Sequence, residues 1–513
     1  MARDALFEAV WQRVRLAGFL DPGQALENAA ALLAEARADQ PQRLLLAGAL
    51  LRQAAIFLPF DPALGAQARR LSAAAPPPPG FASWLSGCPA SPDLAAGLAR
   101  ALHAWQTGQR EAFLQETGAL LAAPGGLAAG PLLAWGLRAA GEPGRAAQVL
   151  EQAPENFLTR TLTARLALDQ NQPDRARDEL RAALDLEPCQ PGALLQLAGL
   201  AAPAPAPRDP AVHVCLYSWN KSAMLAQTLA SLAATDLCGA RVTLLDNGST
   251  DVGPEDLEAL AKAAAPGLAL DILHLPVNVG APAARNWLLS LPASRQATHV
   301  AFLDDDVLLP RTWLTSLLQA LESDAKACAA GVKVLHPRSP LVLQYAWRFF
   351  AETGERRIRF TANAPTVLDL GQYDHLRPCL SVMGCCHLLH RPRLERLGVP
   401  GFDVRFAPSQ VDDIEHDLQI WKAGGRVLFD GRAAVVHLQD TGDPGRRTPL
   451  ALAQAQANHF KMEHKFEAAE LAAMDRDVRR ADSGALVAAL KTLAPDLPPA
   501  ARTFWTALAP ALP

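Results

Sequence analysis

The rhythm of apolar and polar positions changes once along this chain, near residue 200. Before that point Ala and Leu recur at helical spacing between Gly and Pro breaks, and no stretch alternates as a strand does. Pro76 to Pro79 interrupt the array, and residues 201–209, rich in Ala and Pro, read as a stiff linker that ends it. Beyond the linker, short apolar runs alternate with helical patterns. Strands are predicted at 212–217, 242–245, 270–275 and 300–303, and helices at 222–233, 255–264, 281–289 and 311–321. The order is mixed after residue 334 until a helix resumes at 411, before strands at 426–429 and 433–437. This alternation predicts an α/β fold with an open, mostly parallel sheet and helices on both faces. The expected organisation is a helical domain at 1–200, a linker at 201–209, an α/β domain at 210–440 and a helical extension at 441–513.

Within the first 200 residues, Ala164, Asn171, Ala176, Ala183 and Pro188 fall where a tetratricopeptide repeat puts its small residues, its turn and its terminal proline. Weaker echoes begin at Gly108 and Gly141, steps of 33 and 30 residues. This half resembles a short, degenerate tetratricopeptide-like solenoid, which implies a protein partner. An irregular helical domain that merely packs on its neighbour fits the same pattern.

Composition acts mainly by exclusion. Half of the 513 residues are hydrophobic and 19% are charged, so the chain is globular rather than disordered. A net charge of −4 offers no basic surplus for nucleic acid. The eight cysteines include no C-x-x-C pair and read as reduced thiols of a cytoplasmic protein, compatible with peripheral attachment to a membrane's inner face. Residues 117–137 are uncharged and long enough to span a bilayer. Pro124, Gly125, Gly126, Gly130 and Pro131 break the run, which predicts two helices joined by a turn and no transmembrane segment.

Chemistry gathers after the predicted strands. Tyr217-Ser218-Trp219-Asn220-Lys221 follows the first, and Asp246-Asn247-Gly248-Ser249-Thr250-Asp251 the second. Asn278-Val279-Gly280 follows the third, and Asp304-Asp305-Asp306 the fourth. All four lie at carboxyl ends, where open α/β sheets bind ligands. Alternation along an extended segment makes Asp304 and Asp306 converge while Asp305 points elsewhere. Ser409-Gln410-Val411-Asp412 reads as a capping box, with Val411, Ile414, Leu418 and Trp421 on the buried stripe of the helix it opens.

Taken in order, these segments resemble a family-2 glycosyltransferase of the GT-A fold. The resemblance rests on Ser218-Trp219-Asn220, on Leu245 through Asp251, and on Asn278-Val279-Gly280-Ala281-Pro282-Ala283-Ala284-Arg285-Asn286. It continues through Phe302-Leu303-Asp304-Asp305-Asp306, Gly384, Asp412-Asp413-Ile414-Glu415 and Val435-Val436-His437, and so covers roughly 210–440. It implies an inverting enzyme that uses Mn2+ or Mg2+ and a nucleotide-sugar donor. Asp306 and His437 would hold the metal, and Asp304 and Asp305 would lie on the donor side. Ser218, Trp219, Asn220, Asp246, Asn247 and Gly280 would surround the donor, with Arg285 on its sugar or phosphate. Asn247 stands where the family often has Asp, which leaves UDP against dTDP or GDP open, with UDP favoured modestly. Gly384 and Cys385 would lie beneath the acceptor.

The family's Glu-Asp pair falls on Asp412-Asp413, a departure at the first place, and the resemblance makes Asp413 the general base with Asp412 as the alternative. Like charges at Asp412 and Asp417 are expected to tune Asp413 upward. The acceptor would be a glycan, a lipid-linked species or a protein. A nucleotidyltransferase on a related sheet is a competing reading, although it would want a glycine-rich basic loop after the first strand, and residues 217–221 contain no glycine. A scaffold with a relic transferase domain is another, against which Asp306, Asp413 and His437 stand.

Overall fold

The computed structural model describes residues 4–508 apart from 20, 35–39, 62–87, 203–209, 356, 365 and 440–447. The proline run at 76–79 and most of the 201–209 linker therefore lie outside the described residues.

The four sequence-predicted strand–helix units are present. Strands β1 (Val212–Ser218), β2 (Arg241–Asp246), β3 (Leu270–His274) and β4 (His299–Asp304) pair in parallel in the order β3-β2-β1-β4. The order reverses between β1 and β4, so a crevice opens at their carboxyl ends. β1 and β4 are buried almost throughout, as strands covered on both faces must be. On one face Leu225, Leu229 and Leu232 of helix Ser222–Ala233 pack with Val214, Leu216 and Leu314. On the other, Ala284 and Leu288 of helix Ala281–Ser290 pack with Cys215, Leu245 and Phe302.

The sheet then extends by strands from distant parts of the chain. β5 is Val307–Leu308, β6 Ala327–His336, β7 Val342–Tyr345, β8 Phe350–Gly354, β9 Arg357–Phe360, β10 Leu376–Cys379, β11 Cys386–His390 and β12 Arg426–His437. β11 inserts antiparallel between β4 and β6, β12 pairs parallel with β6, and β10 closes the edge antiparallel to β12. β8 and β9 form a separate hairpin. The two late strands expected from the sequence are one, β12, with an irregularity between Asp430 and Ala434. At that kink Gly431 approaches the main chain of Tyr373 so closely that a Cβ would lie 1.6 Å from the Tyr373 carbonyl oxygen. Arg432 folds back onto the buried Asp430 carboxylate (2.7 and 2.8 Å) and satisfies it.

The described residues before 203 contain helices and no strand. Neighbours in sequence pack as pairs, such as Phe157–Asp169 with Pro173–Leu186 and Pro92–Gln106 with Arg110–Ala122. The uncharged run at 117–137 is divided between helices Arg110–Ala122 and Gly130–Ala139, joined by a 3-10 turn at Gly126–Ala129. Among the described residues no helix is long and apolar enough to cross a membrane. After the sheet come helices Pro449–Glu463, Ala468–Leu493 and Pro499–Leu508. The last does not stand apart: Trp505 meets Trp11 edge-on at 5.9 Å, inside a core built largely from the N-terminal helices.

Candidate functional site

The carboxyl ends of β1 and β4 meet the ends of β11 and β12 around a cavity of about 510 Å³. Asp304 closes β4, and Asp305 and Asp306 turn the chain into β5, which pairs His437 with Val307. Ligand atoms of Asp304, Asp306 and His437 all lie within 4.8 Å of one another. Asp305 points away, as the alternation predicts, and accepts hydrogen bonds from Ser218 Oγ (2.7 Å) and Trp219 N (3.3 Å). Lys221 Nζ bridges Asp305 Oδ1 (3.1 Å) and Asp306 Oδ2 (2.9 Å).

His437 Nε2 approaches Asp306 Oδ1 to 3.0 Å, yet that buried oxygen has no aligned hydrogen-bond donor. His437 Nδ1 is engaged by Gln344 Oε1 at 3.1 Å, which orients Nε2 toward the aspartates. Two carboxylates and one imidazole with an unsatisfied buried oxygen at their centre fit a divalent cation such as Mn2+ or Mg2+. Burial works against ionisation of Asp306, but His437 and Lys221 outweigh it and hold the carboxyl at about 2. Asp304 is pushed up to about 6 by burial, which its neighbour Arg285 only partly offsets.

The opposite wall is acidic as well. Helix Asp412–Lys422 opens on Val411, whose φ is +72°, with no side-chain cap, so the capping box does not form. The loop before it is held from outside instead. Asn458 Nδ2, from helix Pro449–Glu463, donates to the carbonyls of Phe406 (2.8 Å), Ser409 (2.9 Å) and Gln410 (3.1 Å). Ile414, Leu418 and Trp421 are buried as expected, whereas Val411 is only half-buried at the cavity.

Asp413 is gripped by two main-chain donors, Gly384 N on Oδ2 and Ile414 N on Oδ1, both at 2.9 Å. Gly384 has to be small: a Cβ there would lie 2.8 Å from Arg285 Nη2 and 3.1 Å from Asp413 Oδ2. Asp412 forms a buried ion pair with Arg285. The guanidinium lies over the rings of Phe402 (5.1 Å) and Tyr217 (5.3 Å), and its Nη2 is 3.8 Å from Asp304. Burial pushes Asp412 up to about 6 despite Arg285, and raises Asp417 well above the usual carboxylate range. The acids expected to tune Asp413 are thus themselves shifted.

Of the residues singled out in the sequence, Trp219, Asn247, Arg285 and all three aspartates of 304–306 line the cavity. Gly384, Cys385, Asp412, Asp413 and His437 do so too. Four are used in building loops around it. Asn220 accepts from Thr250 N (2.6 Å) and Asp251 N (3.3 Å), tying the loop after β1 to that after β2. Asp246 caps its own turn at Ser249 N and meets His274 Nδ1, both at 2.9 Å. Ser218 is spent on Asp305, and Gly280, at φ +82°, lets Ala281 N reach the Pro408 carbonyl at 2.6 Å. Asn247 both lines the cavity and holds the third loop through Asn278 Oδ1 and Val279 N, each at 2.9 Å. The eight cysteines are free thiols, as expected, and burial pushes Cys385 and Cys386 far up.

Sequence reasoning missed Lys221, Gln344, Tyr345, Arg348, Asn458 and His459, all but Asn458 on the cavity wall. Lys221 lies in the polar cluster after β1 and was within reach. The others come from β7, the segment after it and the C-terminal helices, where nothing local marks them.

Residues 213–377 match the glycosyl transferase family 2 model. That match takes in β1 to β4 and the three aspartates, and stops before Gly384, Asp412, Asp413 and His437. This stretch is similar to family-2 glycosyltransferases. No curated protein matches the chain. Among solved structures, GalNAc-T7 with UDP, GalNAc and Mn2+ is similar at 15% identity over 49% of this chain and 48% of that one, with a TM-score of 0.40. The alignment thus spans about half of the GalNAc-T7 chain. The mannosyltransferase PcManGT from Pyrobaculum calidifontis, in complex with GDP-Man and Mn2+, is similar at 21% identity, 66% and 92% coverage and a TM-score of 0.36. S. aureus TarS with UDP-GlcNAc is similar at 14% identity, 59% and 81% coverage and a TM-score of 0.36.

Proposed function

We propose that this protein is a metal-dependent, inverting glycosyltransferase that moves a sugar from a nucleoside diphosphate to an acceptor hydroxyl. The observation that carries the reading is one cavity with two acidic walls: Asp304, Asp306 and His437 on one side, Asp413 on the other. The family-2 match over β1 to β4 supports it. A divalent cation held by Asp306, His437 and Asp304 would neutralise charge that grows on the departing diphosphate. Lys221, already beside Asp305 and Asp306, adds a positive group on the same side. Trp219 is half-exposed and offers a ring face to the base, and Asn247 offers the polar edge. UDP is the favoured nucleotide.

Asp413 acts as general base. Each of its oxygens accepts one main-chain N–H, which fixes the carboxylate while leaving lone pairs for the acceptor hydroxyl. That hydroxyl gives its proton to Asp413 and attacks the anomeric carbon from the face opposite the diphosphate, which inverts the configuration. Arg285 and Asp412 position rather than react, since each is committed to the other. The paired helices before residue 203 suit a tetratricopeptide-like module, and we assign them recruitment of a protein partner or protein acceptor.

The reading is tested with a panel of nucleotide sugars and Mn2+, following diphosphate released by slow donor hydrolysis. At least one donor should be hydrolysed only when metal is present. Failure of every nucleotide sugar to bind or turn over would remove the proposal.

A further inference from the structure

A second cluster of ligating side chains lies at the far end of the same strands. His299 opens β4 and His390 ends β11, and the two are paired across the antiparallel ladder. Their rings meet at 4.8 Å, 66° apart. Glu322 ends helix Trp313–Glu322, which packs over β11 and shares a hydrophobic core with Ala301 and Leu303 of β4. One ligand atom from each of His299, Glu322 and His390 lies within 4.8 Å of the others. His299 and Asp304 stand at opposite ends of the six-residue β4, so this cluster is about 17 Å from the sugar-transfer cavity at strand rise.

One ring nitrogen of His299 is held and the other is not. Nδ1 lies 2.9 Å from Thr298 Oγ1. Nε2 is buried, in a residue only 4% exposed, and has no partner. A buried ring nitrogen left unsatisfied is costly unless something fills it. The arrangement, with Nδ1 held by a hydrogen bond and Nε2 free, is how histidines are set up to bind metals.

Glu322 sits where a carboxylate is disfavoured, at the negative end of a helix. Its neighbour Arg393 has Nη1 spent on the carbonyls of Leu321 (2.7 Å), Asp324 (3.1 Å) and Ala327 (2.8 Å), and Nη2 stands 3.8 Å from Glu322. His390 Nδ1 accepts a long bond from Arg393 N at 3.4 Å. Ligation through His390 Nε2 shifts its proton to Nδ1 and gives up that one contact.

We infer that His299, His390 and Glu322 form a structural site for a Zn2+-class cation that ties helix Trp313–Glu322 to β4 and β11. Two imidazoles and a carboxylate, with water completing a tetrahedron, suit Zn2+ or its Co2+ surrogate better than Mg2+. The inference is independent of the sugar-transfer reading, because it uses none of that cavity's residues.

The test uses the full chain stripped of metal and titrated with Zn2+ against a chromophoric chelator, with Co2+ absorption as a second signal. Glu322→Gln and His390→Gln change half-buried positions, and their folding is checked by circular dichroism. Each should weaken one equivalent of Zn2+ at least tenfold, lose the tetrahedral Co2+ band and lose the rise in Tm that Zn2+ gives the parent. The double variant Asp306→Asn with His437→Gln should keep that equivalent, the band and the Tm rise. If the parent binds no Zn2+, if both single variants bind like the parent, or if the double variant loses the equivalent, the assignment is wrong.

Discussion

Replacing Asp412 by Asn should stabilise this protein at neutral and alkaline pH. Asp412 is 3% exposed and its carboxyl is held at about 6, because burial outweighs the guanidinium of Arg285. The folded state therefore prefers the neutral acid more strongly than the unfolded chain does, where the ordinary value is 3.8. For a raised value the linkage has one sign: the stabilising contribution is complete below 3.8 and is lost as pH climbs through 6. At about 1.4 kcal/mol per tenfold, that displacement corresponds to about 3 kcal/mol at pH 8. Asn imitates the neutral form at every pH and escapes the loss. Removing one charge of a buried pair ordinarily destabilises it, but the amide of Asn keeps an oxygen to which Arg285 still donates, so the guanidinium is not left without a partner. Urea unfolding followed by tryptophan fluorescence at pH 4, 6 and 8 measures the difference. The two proteins should be nearly equal at pH 4, with the variant ahead by about 3 kcal/mol at pH 8. Asp304, shifted for similar reasons, titrates in both and largely cancels. A variant that is the less stable at pH 8, by more than at pH 4, would mean that the pair holds the fold together and would refute the argument.

Asp306→Ala should abolish Mn2+-dependent UDP binding in calorimetry, while His437→Ala should weaken it less because water can replace one ligand; equal affinity for all three proteins would return both residues to structural roles. Asp413→Asn should leave donor affinity near that of the parent and slow transfer by about 10²- to 10⁴-fold, read at saturating donor; a normal rate would take this helix out of the mechanism. Gly384→Ala should cost about 10²-fold through a shift of the base of roughly 1 Å, with UDP binding retained; loss of UDP binding instead would show that the clash propagates to the donor wall. A fragment beginning at residue 210 should be insoluble or aggregate in size-exclusion chromatography, since the apolar faces of helices Ala468–Leu493 and Pro499–Leu508 would lose the core they share with the N-terminal helices; a monodisperse, UDP-binding fragment would contradict this.

The parallel half of the sheet was legible because its strands are continuous apolar runs and its helices carry buried leucines at regular spacing. Helix Ser222–Ala233 was read to the residue, and the strands β1 to β4 to within two. The second half was not, because β11 joins β4 only through pairing across more than eighty residues, and nothing local announces an antiparallel insertion. The same limit governs the site. Asp304, Asp306 and Asp413 could be found from their position in short motifs. Asp412 could not be understood alone, since its partner Arg285 is 127 residues away and turns an expected helix cap into an ion pair. Asp246 errs the other way. An acid at a strand's carboxyl end suggested a ligand contact, but the Asp-Asn-Gly-Ser segment is also a good turn, and Ser249 and His274 consume both oxygens.

One link joins the helical half to the proposed chemistry more closely than a linker would. Trp105 Nε1 donates to the Leu341 carbonyl at 3.1 Å, and Leu341 N donates to the Ala139 carbonyl at 3.0 Å. Leu341 is thus fixed by two N-terminal helices at the residue before β7, and Val342 joins their hydrophobic core. Gln344, two residues on, holds His437 Nδ1 at 3.1 Å and through it the direction of Nε2 toward Asp306. β7 thus meets the helical core at its first residue and the proposed metal-ligand set at Gln344. Misplacing a ligand-orienting residue typically costs 10- to 100-fold in metal affinity. The N-terminal helices therefore bear on the site through the tautomer and orientation of one histidine, and a change as remote as Trp105→Phe should act on metal affinity before it acts on donor recognition.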